Sequence, residues 1–453
     1  MSAMDASVAV TRFGLGARPG EIDLVRRAPR DWLAAQIGRA EPLTGLPRSD
    51  AILRDFQQNY RPLTARLRQG GGDAEDVQRE IRAMIREPRA AHVAARTTLA
   101  VQTGAGFSER WVRFWSNHFT VASNSLQSAL VAPTLEAEAV RPLAFASFAE
   151  LLLACELHPA MLIYLDQAVS VGPNSPAGRR RDLGLNENLA REILELHTLG
   201  SDGGYSQVDV EALARILTGW TVGSRRLRVS DDQIGRTVFS DLLQEPGAHT
   251  LLGRRFAGDG PERARDALLH VAGMEQTARF VCLKIARHFI SDVPDRRDVD
   301  HLVTAWRRSG GDLAAVAGAL ITAPSAFDPG FGKFKTPEDF LISSLRALDA
   351  ADLAPRQLYS AYSSLGQAPF SAPSPAGWPD TEADWAGPDA VLKRLDFASS
   401  LAERAGPRSA PRERAEAVLG ARLGEETRQA IARAQTAEQG LTLLFMSPEF
   451  QRR

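Results

Sequence analysis

The chain has 453 residues, 54 basic against 55 acidic side chains, a net charge of −1, 44% hydrophobic and 24% charged residues. That composition excludes disordered, collagen-like and low-complexity chains, and the charge balance gives no general footprint for nucleic acid or anionic lipid. Cys155 and Cys282 both lie in apolar runs and suggest neither a disulfide framework nor a metal cluster.

Taken in chain order, Met1 to Asp5 lack the positive and apolar regions of a signal peptide, so the expected location is cytoplasmic. Helical periodicity then dominates. It predicts helices over 20–38, 74–103, 108–120, 143–168, 186–199, 207–219, 261–270, 275–290, 296–309, 312–322, 337–350, 388–404, 411–420 and 424–446. The most apolar stretch, Phe145 to Leu165, is interrupted by Glu150, Glu156, His158 and Pro159, which argues against membrane insertion. Three interruptions, 168–185, 221–260 and 367–385, read as loop insertions. The middle one holds short alternating pieces, Leu227 to Val229 and Thr237 to Phe239, expected to form a small hairpin. The fold class is therefore mainly α, one large multi-helix, bundle-like unit over 1–453 with a β-hairpin embellishment.

Six segments could carry chemistry. In Arg110-Trp111-Val112-Arg113-Phe114-Trp115-Ser116-Asn117-His118-Phe119, the large aromatics and His118 share one helical face, which fits a core stripe with a hydrogen-bonded histidine or a pocket wall. Asp166, near the end of the run that starts at His158-Pro159, sits badly against a helix C-terminus and so calls for a partner. Arg179 to Arg181 read as a solvated basic loop or an anion contact.

The strongest segment is Asn186 to Gly200. On a wheel of about 100° per residue, Asn188, Arg191, Glu192 and Glu195 share a face while His197 points nearly opposite. A metal site from Glu192, Glu195 and His197 is thus not expected. The acids with Arg191 and Asn188 form either a polar site or a surface stripe laced at i, i+4. Later, Thr336-Pro337-Glu338-Asp339 reads as a capped helix start, and Lys333 and Lys335 are two of only four lysines. Gly377-Trp378-Pro379-Asp380 presents a rigid Trp378, as a groove plug or a ligand platform. No nucleophile elbow, phosphate loop or zinc motif is present.

With Arg12 to Gly16, Phe114 to Phe119, Pro159 to Leu162 with Leu165-Asp166, Asn186 to Gly200, Ala214 to Thr221, Phe334 to Pro337 and Gly377 to Pro379, the chain resembles the bacterial domain of unknown function 1800 family. The resemblance implies one α-helical unit, with no agreed activity and no known cofactor. It implies export for many members, which stands against the absent signal. It also implies a partner similar to the sulfatase and alkaline phosphatase superfamily, and tolerance of Phe at position 197. It groups Asn188, Arg191, Glu192, His118, Asp166 and Lys335 as one buried polar centre. Two functions follow as expectations. The first is a helper or scaffold acting with that partner. The second is a hydrolase or lyase of a polar or anionic polymer: Glu192 as acid or base, His118 and Asp166 beside it, Arg191 and Lys335 on an anion, with Asn188, Glu195, Trp220 and Trp378 on substrate.

Overall fold

The computed structural model describes residues 3–68, 74–181, 184–330, 332–350, 353–407 and 409–453. Helices make up its body, and strands among the described residues are confined to two antiparallel pairs. One connected apolar core runs from Ala6 to Phe450, so the first and last helices pack into the same interior. No helix among the described residues is long and apolar enough to cross a membrane.

The helix Gly106–His118 is the axis of that core. Trp111, Trp115 and Phe119 are fully buried and Phe114 nearly so. The Trp111 Nε1–H donates to Ala144 O at 2.6 Å, which satisfies the one polar atom the indole carries inside. Phe289 from the helix Glu275–Phe289 and Phe148 from Phe148–Glu156 close the cluster.

Where the expected elements differ, local chemistry explains the difference. The run 143–168 is broken into Phe148–Glu156 and Pro159–Tyr164. Ser147 and Glu150 form a capping box at the first start, and His158 caps the second through Ala160 N–H donating to its Nδ1 at 3.1 Å. The run 20–38 is divided at Pro29 into Glu21–Val25 and Pro29–Ala34, and 424–446 is divided where Thr436 caps Ala437–Met446. Helices Ser49–Arg68 and Pro355–Ser364 were not expected from periodicity. The hairpin is two hairpins. Thr237–Phe239 pairs with Trp220–Val222 rather than with 227–229, and His249–Leu251 pairs with Arg254–Phe256. Loop 168–185, of which 182 and 183 lie outside the described residues, is docked. Asn174 gives its N–H and Nδ2 to the buried Glu245 carboxylate at 2.8 and 2.6 Å.

Candidate functional site

Besides its aromatic face, the helix Gly106–His118 has a polar one. Arg110, Arg113 and Asn117, at i, i+3 and i+7, line an internal chamber of about 100 Å³. That volume suits a few water molecules or one small polar group. The opposite walls come from Glu338 and Asp339 at the start of helix Pro337–Leu348, from His288 near the end of Glu275–Phe289, and from loop residues Trp378 to Asp380. Thr336 caps that start by accepting the Asp339 N–H at 3.1 Å, so the two acids are fixed where the chamber needs them.

Five arginines and five carboxylates meet around this space: Arg96, Arg110, Arg113, Arg141 and Arg453 with Glu109, Glu136, Glu338, Asp339 and Asp380. The tightest contacts are Arg141 Nη1 to Glu109 Oε2 and Arg113 Nη1 to Glu338 Oε1, each 2.6 Å. Burial alone would raise each acid, but the guanidinium groups outweigh it and hold Glu136, Glu338 and Asp339 below the ordinary carboxylate range. Burial, with Arg453 nearby, lowers Arg110 to about 10, so it stays charged at neutral pH. The network is charge-balanced and leaves no arginine free for an anion.

The Gly377-Trp378-Pro379-Asp380 loop is pinned to the same helix. Asn117 Oδ1 accepts the Trp378 N–H at 2.8 Å and Asn117 Nδ2 donates to Trp378 O at 2.9 Å. Gly377 has φ +87°, and a Cβ there would stand 2.5 Å from Asn117 O, so only glycine fits. Trp378 leans on Trp385, whose Nε1–H donates to Pro379 O at 2.8 Å. The frame thus sets Asp380 as firmly as it sets Trp378. Asp380 Oδ2 lies 2.7 Å from His288 Nδ1, while Lys333 and Arg453 pair with Oδ1 at 3.6 and 3.4 Å and Lys333 also donates to the Asp380 backbone carbonyl. Burial would raise Asp380, yet His288, Lys333 and Arg453 keep it ionised.

His288 keeps a chemical position to spare. Its Nδ1–H is committed to Asp380, and its Nε2 is buried without a hydrogen-bond partner. The ring keeps 15% exposure, but packing around it is dense enough that burial pushes the imidazole below its ordinary 6.5 against the pull of Asp380. A neutral ring, proton on Nδ1 and lone pair on Nε2, is the form a general base takes.

The expected polar centre is not one centre. Asn188 and Asp166 are exposed, and Arg191 keeps 40% of its side-chain exposure. Asp166 adopts φ +60° after helix Pro159–Tyr164, a left-handed turn that Asp tolerates, which accounts for its place without a buried partner. Arg191 pairs with Glu187 at 3.0 Å, as the surface-stripe alternative has it. Glu195 accepts from the Tyr205 hydroxyl at 3.5 Å. Glu192 is half-buried, and burial raises its carboxyl, helped by Glu195. Lys335 is sealed elsewhere, its Nζ donating to Ser343 Oγ at 2.9 Å and lying 3.8 Å from the Phe450 ring centre. Burial, then Arg422, brings its amine well down.

The segment around Glu192 is not α-helical throughout. Asn188–Glu192 is α-helical, but Ile193–Thr198 is a π-turn, and His197 is fully buried while Glu192 and Glu195 stay partly exposed, so the histidine lies off the face of the two acids. The His197 ring lies against buried Glu156, Nδ1 to Oε1 2.7 Å, and Glu192 feels its field. His118 Nε2 meets His197 O at 3.1 Å inside a ring of aromatics, and burial lowers it well below 6.5. Among the described residues no group of three or more His, Cys, Asp or Glu is placed to hold a metal ion. Arg179 and Arg180 are exposed. Trp220 lines a separate cleft and Trp378 the chamber.

His288, Arg110, Asp339 and Arg453 were not singled out from the sequence, although Arg110 and Asp339 sit inside strings that were. The available signal was the convergence itself: Leu15, Asn117, Thr336 and Trp378, from four of the strings that carry the resemblance, line one chamber. Neither a curated protein nor a solved structure matches the chain. A model of the family described as "Protein of unknown function (DUF1800)" matches residues 8–452, and the chain belongs to that family.

Proposed function

We propose that the chain is an enzyme of the hydrolase or lyase kind, acting on a polar, uncharged group admitted to the chamber beneath residues 377–380. The observation that supports this most is His288, oriented by Asp380 at 2.7 Å and left with an unpartnered Nε2. In this reading His288 takes a proton from the substrate or from water, Asp380 stabilises the imidazolium that results, and Trp378 forms a wall. The balance of five arginines by five carboxylates favours a neutral polar group over an anionic one. Because Nε2 is shielded, entry requires a shift of the covering loop, against the two Asn117 bonds.

The test is a substrate screen of the wild type beside His288→Gln and Asp380→Asn. The expected result is turnover that falls about 10²–10⁴-fold in His288→Gln with the melting profile retained. Full turnover in that variant removes His288 from the mechanism.

A helper role with a partner similar to the sulfatase and alkaline phosphatase superfamily has a separate support. Val391, Leu392 and Leu395 form an exposed apolar row on helix Pro388–Ala405, at 38%, 61% and 40% exposure. A stoichiometric partner that co-purifies with the wild type and is lost in Leu392→Asp favours this reading. A monodisperse protein that turns over substrate alone rejects it.

A further inference from the structure

A second cavity shares no lining residue with the chamber. It is a cleft of about 730 Å³ beside the Trp220 hairpin, and the π-turn Glu136–Val140 is the wall between the two. Glu136 and Val140 face the chamber, whereas Glu138 and Ala139 face the cleft. The size is that of a small-molecule site, with room for about two or three sugar rings.

Its chemistry is mixed in a particular way. Leu143, Leu153 and Leu157 make an apolar side. Trp220 stands on strand Trp220–Val222 with its ring braced edge-on by Phe239, centroids 5.6 Å apart, so its face is held rather than mobile. One buried N–H donor in this lining has no hydrogen-bond partner, Trp220 Nε1. The proton of His158 is placed by its neighbour: Nδ1 accepts the Ala160 N–H, so the ring hydrogen is on Nε2. His158 is only 7% exposed, and its Nε2 lies a long 3.4 Å from Glu138 Oε2, a contact that helps hold that carboxyl below its ordinary range. Glu138 is itself occupied by Ser49, whose N–H and Oγ donate to it at 2.7 and 2.9 Å.

Buried polar atoms without partners call for a group that supplies them. An alkyl chain leaves the Trp220 N–H unmet. A carboxylate or phosphate meets Asp50, Glu138 and Glu150, which offset Arg48, Arg236 and Arg265 one for one. A hydroxyl suits both sides, since it accepts from an indole or imidazole N–H and donates to a carboxylate. A pyranose offers several hydroxyls and an apolar C–H face for the indole. We infer that this cleft is a binding site for a short neutral saccharide, with Trp220 as its platform and His158 and Glu138 as its hydroxyl contacts. The site stands whether or not His288 is a proton carrier.

The experiment is calorimetric titration of the full chain with cellotriose, maltotriose and chitotriose, with trigalacturonate as the anionic control. At least one neutral trisaccharide binds, Trp220→Ala weakens it about tenfold or more, and Trp378→Ala in the other cavity leaves it unchanged. Hydrogen exchange of the wild type with that sugar slows at 220–222 and 237–239. Absence of binding by all three neutral sugars overturns the assignment. So does tighter binding of trigalacturonate, or protection that falls on 377–380 instead. If Trp220→Ala fails to fold, the wild-type exchange map decides alone.

Discussion

The chamber and the segment Asn186 to Gly200 are both rich in charge, and they handle it in opposite ways. Around the chamber a few local pairs such as Glu109 to Arg113 are tied together by distant ones, and Arg96 to Glu338 or Arg453 to Asp339 join residues more than a hundred positions apart. Those ions are buried and compensated. In the 186–200 segment the pairing is local, Glu187 to Arg191, and Glu192 is left half-buried with burial and a second acid raising its carboxyl. A helical wheel sees the local pairs and is blind to the distant ones that close the chamber network. Density of charge along one helix is therefore a poor guide to where charge carries structural weight.

The sharpest way to test that contrast is to remove one arginine from each region. Arg141→Met leaves Glu109 and Glu136 buried with half their partners, and it is expected to cost about 3–5 kcal/mol in a denaturant melt. Arg191→Met removes one half-exposed i, i+4 pair and is expected to cost less than about 1 kcal/mol. Equal losses would mean that the two regions do not differ in the way their geometry implies.

Next in size is the hinge between the chamber and its cover. Asn117→Ala deletes both bonds to the Trp378 backbone, so a loss of about 1–3 kcal/mol is expected. Amide exchange should quicken at 377–380 while the helix Gly106–His118 stays protected. Uniform loss of protection throughout the chain would show instead that Asn117 serves the whole core.

His118 is the seam between the two regions, since it ends the chamber helix and meets His197 O in the π-turn. Burial lowers both His118 and His288 below 6.5 in the folded chain. The sign follows from linkage. Below 6.5 the unfolded chain takes up protons that the folded chain refuses, so stability is full above that pH and lost as pH falls. Each histidine contributes a slope of at most about 1.4 kcal/mol per pH unit. His118→Gln should remove one such share between pH 5 and 6.5, and an unchanged slope would mean that His118 already titrates as it does in water.

The helical class and many element positions were legible because amphipathic periodicity and cap residues are local, as in Ser206 with Asp209 or Thr336 before Pro337. A helical start at His158-Pro159 was legible from the proline, but the imidazole that caps it was not. The candidate site was legible only in pieces. Asn117, Glu338 and Asp380 all lay in strings that stood out, yet their roles depend on contacts across 261, 242 and 92 positions. The π-turn at Ile193–Thr198 was invisible to a wheel drawn at α-helical spacing, although the expectation that His197 makes no metal site with Glu192 and Glu195 holds among the described residues. Asp166 misled for a related reason: the rule about helix C-termini assumes that the helix continues to it, and the chain turns left-handed at that residue.

The smallest expected effect is also the one that separates the regions most cleanly. Glu192→Gln keeps the side chain's size and removes its charge. Burial raises this carboxyl in the folded chain above its ordinary 4.5, so between that value and the folded one the native state holds more proton than the unfolded state. Stability contributed by the neutral form is therefore lost as pH rises through that window. Removing the charge should leave the protein equally stable or slightly more stable at pH 7, within about 0.5 kcal/mol, and the difference should vanish below about pH 4. A loss of about 2 kcal/mol would mean that Glu192 anchors an ion pair as the chamber carboxylates do. An unchanged or raised melt would mark Glu192 as an acid the fold does not need.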